Sequence, residues 1–333
     1  MEKNENKGRI KMLRKVKRQM KSVIEGVALR KKQKMLFKQE FQGGGGYDRN
    51  EVNLLLLAHS LEKGMGINNP RRGFGIEKAT RLINEISIYV ARVKHPITGY
   101  AYNEAMSVLG EYIQFTVNSG VDISSLIDVY QRILEQYGIK RVNAGYTEID
   151  VDALYNSIDF QSALHFMESR HSIRSFEKRP VSEVEMEKVL ETASFAPSAC
   201  NRQPIKVFWT NNSNSVLQIS KCVPGNKGFE DDIPNWAIVA VDRTMFGEQE
   251  VLQWYVNGGI YVSHLVLAFH AYKLGSCIFQ IPIGTDCAKD IQKVADIPNQ
   301  YAIVCAVGYG YPQHMVKCLA AARKPVSDYE VYF

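Results

Sequence analysis

The sequence predicts an α+β chain in which a small all-α domain precedes a half of mixed helices and strands. Three observations carry this. Apolar residues recur at helical spacing through the first half. From about residue 157 the texture changes to runs rich in Val, Ile and aromatics alternating with helical patterns. A glycine run, Gly43 to Gly46, separates both from a basic arm. The expected organisation is therefore an arm and Gly-rich linker over 1–46, a helical domain over 47–156 and a second domain over 157–333. A chain of 333 residues suits two domains or one domain with a large extension.

The arm contains most of the charge imbalance. Residues 1–45 hold 14 of the 41 Lys and Arg but four of the 35 Asp and Glu, so they carry +10 and the rest −4. Met12, Val16, Met20, Val23 and Val27 recur every three or four residues, the pattern of a basic amphipathic helix. A solvated arm is one reading. Peripheral contact with an anionic membrane surface or an acidic partner is another. Nucleic acid is not expected, because no aromatic residues interleave with the charge. No apolar run reads as a secretory signal or a spanning helix. The six cysteines lack C-x-x-C spacing and read as reduced thiols, which suits a cytoplasmic location.

Four apolar runs mark the helices of the first half. They are Leu54, Leu55, Leu57, Ala58 and Leu61; Leu82, Ile83, Ile86, Tyr89 and Val90; Val108, Tyr112, Ile113 and Phe115; and Leu126, Val129, Tyr130, Ile133 and Leu134. Loops are expected at 68–73 and 95–99. His59, Glu62 and Lys63 fall on adjacent helical positions. They either line a pocket or mark a helix end, with Glu62 and Lys63 solvated and Gly64 a cap.

In the second half, strands are expected at Ile205–Thr210, Trp236–Asp242, Cys277–Ile281 and Ala302–Tyr309. A long apolar helix fills Val251–Tyr272, with Gly275 expected as its left-handed cap. No Walker A or dinucleotide fingerprint follows any strand. The seven histidines show no metal-ligand pairing, so no metal site is expected.

Four clusters carry chemistry. Arg170-His171-Ser172-Ile173-Arg174-Ser175-Phe176 packs cationic and hydroxyl donors together, which suits a phosphate or a solvated turn. Phe195-Ala196-Pro197-Ser198-Ala199-Cys200-Asn201-Arg202-Gln203-Pro204 joins a helix to a strand. Its prolines and small residues admit a flat ligand, while Ser198, Asn201 and Gln203 offer neutral polar groups; a self-satisfied loop is the alternative. Leu274-Gly275-Ser276-Cys277 follows the long helix, and Ala321-Ala322-Arg323-Lys324-Pro325 follows the last strand.

In this order the four clusters resemble the FMN-dependent nitroreductase family over about 160–333. That family shows an R-x-S-x-R-x-F start, then A-P-S-x-x-N-x-Q-P before a strand, a long apolar helix, and a C-terminal R-K-P. The resemblance implies a central, mainly antiparallel sheet flanked by helices, in an intertwined homodimer with two FMN sites at the interface. It implies that Arg170, His171 and Ser172 face the FMN phosphate and ribityl chain, with Arg323 returning to the phosphate. Arg174 would lie near the flavin N1/O2 edge. Pro197, Ser198, Asn201 and Gln203 would reach the flavin from the partner subunit, and the backbone from Gly275 and Ser276 to Gln280 would run beside the ring. The implied activity is reduction of a nitro compound, quinone or similar small acceptor by NADH or NADPH, in ping-pong hydride transfer through flavin N5. No side-chain nucleophile is needed. The alternative is a non-catalytic flavin-binding module whose helical part and arm mediate interactions. Two departures stand out: His171 replaces a common arginine, and Ile278-Phe279-Gln280 stands where Trp or Pro and further glycines are common.

Overall fold

A computed structural model describes residues 48–93, 99–250, 252–282 and 284–333, with part of the arm between 12 and 31. The expected glycine linker at 43–46 and most of the expected loop at 95–99 lie outside these residues. Within the arm, Met12, Val16, Met20, Val23 and Val27 are helical and exposed.

Among the described residues after the arm, the first half is built on α1 (Arg49–Met65), α2 (Ile76–Arg92), α3 (Tyr100–Asn118) and α4 (Ser124–Tyr137). α1 begins with a reciprocal capping box between Asp48 and Glu51. The predicted apolar runs face one another, and Leu54, Leu61, Leu82, Ile86 and Tyr112 are fully buried. Gly64 is not a cap, as one reading had it. It lies inside α1, and a Cβ there would strike the Phe74 ring. The chain leaves the helix at Gly66, whose φ of −81° needs no glycine. The core of these helices does not close on itself. It continues into Val241, Met245, Phe246, Trp254 and Ala302 of the second half.

Two short helices follow, α5 (Val151–Asn156) and α6 (Phe160–Ser169), both without a buried residue. Then come α7 (Glu183–Ala193), β1 (Ile205–Thr210), α8 (Ser213–Cys222), β2 (Asn235–Asp242), α9 (Gln253–Ala271), β3 (Gly275–Gln280), α10 (Asp286–Val294) and β4 (Tyr301–Gly310). The sheet order is β1-β2-β4-β3, with every neighbouring pair antiparallel. Alternation along β2 sets the layers. Trp236, Ile238 and Ala240 face a core shared with Ile219 of α8 and Ile291 of α10. Ala237 and Val239 face the other, with Val189 of α7 and Leu265 and Phe269 of α9. The sheet is thus flanked by helices on both faces.

The expected cap at Gly275 is corrected by the backbone. Lys273 takes the left-handed conformation, at φ 60°, and the Leu274 N–H donates to Phe269 O at 2.8 Å. Gly275 is instead the first residue of β3. Its lack of a side chain serves close packing, because a Cβ would lie 2.8 Å from Ile173 Cβ.

Candidate functional site

The close approach at Gly275 positions the first cluster. Arg170 ends α6, and the chain then runs beside β3. Ser172 bridges Ser276 in parallel, and the Ile173 N–H donates to Ser276 O at 3.0 Å. Further on, Phe176 pairs with Pro312, and the Glu177 N–H donates to Tyr311 O at 2.8 Å. The segment is therefore pinned to the start of β3 and the end of β4.

This placement opens a cleft of about 430 Å³. Arg170, His171, Ser172 and Arg174 line one side, and Leu319, Ala321 and Arg323 the other. Arg323 is distant in sequence and reaches the same cleft through the segment after β4. Among the described residues, Glu168 is the one carboxylate in the lining, against three permanently charged guanidiniums. Local contacts orient the donors. His171 Nδ1 lies 2.8 Å from Ser169 O, Arg174 donates to Ser172 O at 3.4 Å, and Arg323 donates to Ala321 O. The positive field reaches nearby titratable groups. Burial pushes the Cys277 thiol up while Arg174 and Arg170 pull it down. Burial lowers His270, and Arg170 and His171 lower it further.

The second cluster forms a separate wall. After α7, Cys200, Asn201 and Gln203 all adopt positive φ, at 53°, 50° and 48°. Three non-glycine residues in this region hold strain that the surroundings must enforce. The anchors are visible. The Ala199 N–H donates to Asn257 Oδ1 at 2.8 Å, and the Gln203 N–H to Ser198 Oγ at 3.0 Å. Arg202 is buried below the loop and donates to Ala199 O, Met245 O and both oxygens of Glu250. A smaller cleft of about 160 Å³ opens here, lined by Pro197, Ser198, Gln203, Asn257 and Tyr261 among others.

The helical half reaches this second wall. Gln203 Nε2 donates to the Tyr100 hydroxyl at 2.7 Å, and Tyr100 is hydrogen-bonded to buried Glu104. Nearby, Glu62 is not solvated as a bare helix end would be. It is half-buried and accepts the Gly145 N–H at 3.2 Å, and burial raises its pKa. His59 stands 4.0 Å from it, with its pKa lowered by burial and then by Lys63 and Arg202. Lys63 itself is exposed.

The predicted residues thus fall into two groups. Arg170, His171, Ser172, Arg174 and Arg323 share the basic cleft. Pro197, Ser198 and Gln203 line the smaller one, with Asn201 exposed on the same loop. The two clefts have no lining residue in common. Gly275 and Ser276 back the basic segment from β3. Sequence reasoning missed Asn257, Tyr100 and Glu104. Asn257 had a usable signal, a polar residue inside an otherwise apolar helix. Glu104 lies in a stretch of α3 that is buried from Ala101 to Leu109, and nothing in its local spacing singled it out.

Among the described residues, no group of three or more His, Cys, Asp or Glu could hold a metal ion, and no helix is long and apolar enough to cross a membrane. The description of the nitroreductase family matches residues 167–224, which span the basic segment, α7, the strained loop, β1 and α8. A protein of Archaeoglobus fulgidus, provisionally named NADH dehydrogenase/NAD(P)H nitroreductase, is 24% identical over 155 residues, covering 46% of this chain and 87% of its own. The structure of an FMN-dependent nitroreductase from Clostridium difficile covers 51% of this chain and 98% of its own, at 23% identity and a TM-score of 0.42. A provisionally assigned nitroreductase from Desulfovibrio desulfuricans, solved in complex with FMN, covers 51% and 96%, at 22% identity and a TM-score of 0.44. With the four motifs in family order on the elements that carry them, the C-terminal region of this chain carries a match to the nitroreductase family, and its relatives and structural neighbours are proteins of that family.

Proposed function

We propose that the chain is an FMN-dependent oxidoreductase that uses NADH or NADPH to reduce a small acceptor such as a quinone or nitro compound, with residues 157–333 as the flavin-binding unit. The observation that carries this is the basic cleft. Arg170, Arg174 and Arg323 converge there from distant parts of the chain, beside Ser172 and His171. That donor set fits a phosphate dianion: guanidiniums supply charge-assisted hydrogen bonds and the hydroxyl takes a remaining lone pair. When bound, FMN supplies hydride exchange at N5, accepting from the nicotinamide and then delivering to the acceptor in turn.

The chain's own residues bind and orient. Arg170, Ser172 and Arg323 hold the phosphate end, and Arg174 places positive charge where the reduced ring carries negative charge. Pro197, Ser198, Asn201 and Gln203 form a second wall on a strained loop held by Asn257 and Arg202. The two clefts being separate within one chain supports a homodimer in which one copy's loop closes the other's basic cleft. Phe195 is 82% exposed, and Val256, Ile278, Phe160 and Met167 are also exposed, which gives such an assembly apolar surface to cover. The test is titration with FMN followed by anaerobic addition of NADH or NADPH. Retention of a yellow cofactor that bleaches supports the reading. A protein that refuses FMN, or holds it without reduction, overturns it.

A further inference from the structure

The arm before the glycine run is the part of the chain that flavin binding does not use. Its described residues between Met12 and Lys31 are all helical and all exposed. At about 100° per residue, Met12, Val16, Met20, Val23, Ile24 and Val27 fall within an arc of about 120° on that helix. Each of the six is at least 42% exposed, so the stripe is apolar and uncovered. Lys17, Lys21 and Glu25 fall outside the arc, and Lys21 pairs with Glu25 at 3.9 Å on that polar side. An exposed pair of this kind contributes little to holding the helix. Gly26 lies in the open as well, since a Cβ there would meet no atom within 4 Å. A helix without tertiary contacts is marginal in water, and what stabilises it is cover for its apolar face.

We propose that the arm docks the protein on an anionic lipid bilayer. The helix lies in the plane of the interface, with the stripe among the acyl chains and the basic side among the headgroups. Charge selects the partner. Residues 12–31 hold seven Lys and Arg against one Glu, and residues 1–45 as a whole carry +10. The rest of the chain carries −4, so an anionic surface attracts the arm alone. A second copy of the arm would set one basic face against another. Nucleic acid would take the charge and leave six apolar side chains in water. A protein groove reads a helix through a few large anchors, whereas residues 12–31 contain no aromatic residue and spread Met, Val and Ile along the whole stripe. That distribution suits a fluid apolar layer. Arg30 and Lys31 follow the stripe at its end, where long stems reach headgroups while their carbons stay in apolar surroundings. Stripe and charge together supply the two signals that a peripheral anchor needs.

The test is sedimentation of the full-length protein with vesicles of phosphatidylcholine alone, or of phosphatidylcholine with about a third phosphatidylglycerol. Wild type should sediment with the anionic vesicles, stay in solution with the neutral ones, and be released in about 1 M salt, where the Debye length is about 3 Å. Lys17→Gln with Lys21→Gln should weaken binding about 25-fold, at about fivefold per charge. Met20→Asp with Val23→Asp should abolish it while leaving the charge of the basic side intact. Both double variants should keep the wild-type thermal midpoint, because no described arm residue is buried. Protein that ignores anionic vesicles, or binds both kinds equally, overturns the proposal. So does full vesicle binding by the Met20→Asp, Val23→Asp protein, which would make the arm a bare polycation. An oligonucleotide bound equally by that variant and wild type, with vesicles left unbound, assigns the arm to nucleic acid instead. None of these outcomes depends on flavin, so the proposal stands or falls apart from the oxidoreductase reading.

Discussion

Arg202 grips both carboxylate oxygens of Glu250, Nη2 to Oε1 at 2.7 Å and Nη1 to Oε2 at 3.1 Å. The same guanidinium donates to Met245 O at 2.6 Å and lies over the Phe246 ring at 4.7 Å. It therefore ties the strained loop to the segment before α9. Arg202 is almost wholly buried, so removing its partner strands a charge away from water. Glu250→Ala should cost about 3 kcal/mol, read by urea denaturation, and should loosen the Pro197–Gln203 wall. Arg202 hydrogen bonds hold Glu250 below the usual carboxylate range. This contribution is present above the unfolded-state pKa and is lost as pH falls through the lowered folded value. A stability of Glu250→Ala equal to wild type at neutral pH would contradict this role.

The contact between Gly275 and Ile173 yields a second prediction. Gly275→Val places branched carbons where Ile173 already packs, so the Arg170–Arg174 segment must lift from β3. A destabilisation of about 1–3 kcal/mol is expected from overpacking. FMN affinity should fall with it, because His171 and Arg174 ride on that segment. Fluorescence titration with FMN and a denaturation curve on the same sample check both parts.

Charge in the basic cleft makes a third. Arg323→Ala should weaken FMN binding by at least about tenfold, the size of a charge-assisted hydrogen bond. Binding of riboflavin, which lacks the phosphate, should change little. Arg174→Ala should instead lower affinity for reduced flavin more than for oxidised flavin, seen as a more negative midpoint potential of the bound cofactor. Equal losses for FMN and riboflavin in Arg323→Ala would remove Arg323 from the phosphate.

A fourth concerns stability and pH. Glu104 has its folded pKa raised to about 7 against a reference of 4.5. Between these values the unfolded chain ionises while the folded one keeps its proton. The contribution is therefore full below pH 4.5 and declines as pH rises to about 7, by an amount on the order of 3 kcal/mol. Glu51 and Glu62 are shifted in the same direction, so the informative quantity is the difference between wild type and Glu104→Gln. That difference should change across this window and be constant above it. A pH-independent difference would show that Glu104 is ionised in the folded protein.

The strands and helices were legible because β-branched, aromatic and amphipathic runs report burial directly. The four observed strands lie within two residues of the expected ones at each end. The basic cluster was also legible, since Arg170 to Arg174 are adjacent and Arg323 carries an R-K-P signature. Gly275 and Gly64 were misread for one reason. Glycine before a strand or near a helix end suggests a cap, and only the packing reveals the ring or side chain that fills its missing Cβ. The continuity of the helical core with Val241, Phe246 and Trp254 was hidden, because those residues serve the second half's own pattern equally well. Glu104 was hidden because local spacing does not tell a solvated carboxylate from a buried one.

Stopped-flow absorbance at the flavin band, under anaerobic conditions with FMN-loaded protein, tests the central claim most directly. The account predicts rapid bleaching on mixing with NADH or NADPH and recovery of the band on adding a quinone, both diminished when Arg174 is replaced by Ala. A flavin band that persists with both nicotinamides, or protein that retains no FMN at all, would contradict it.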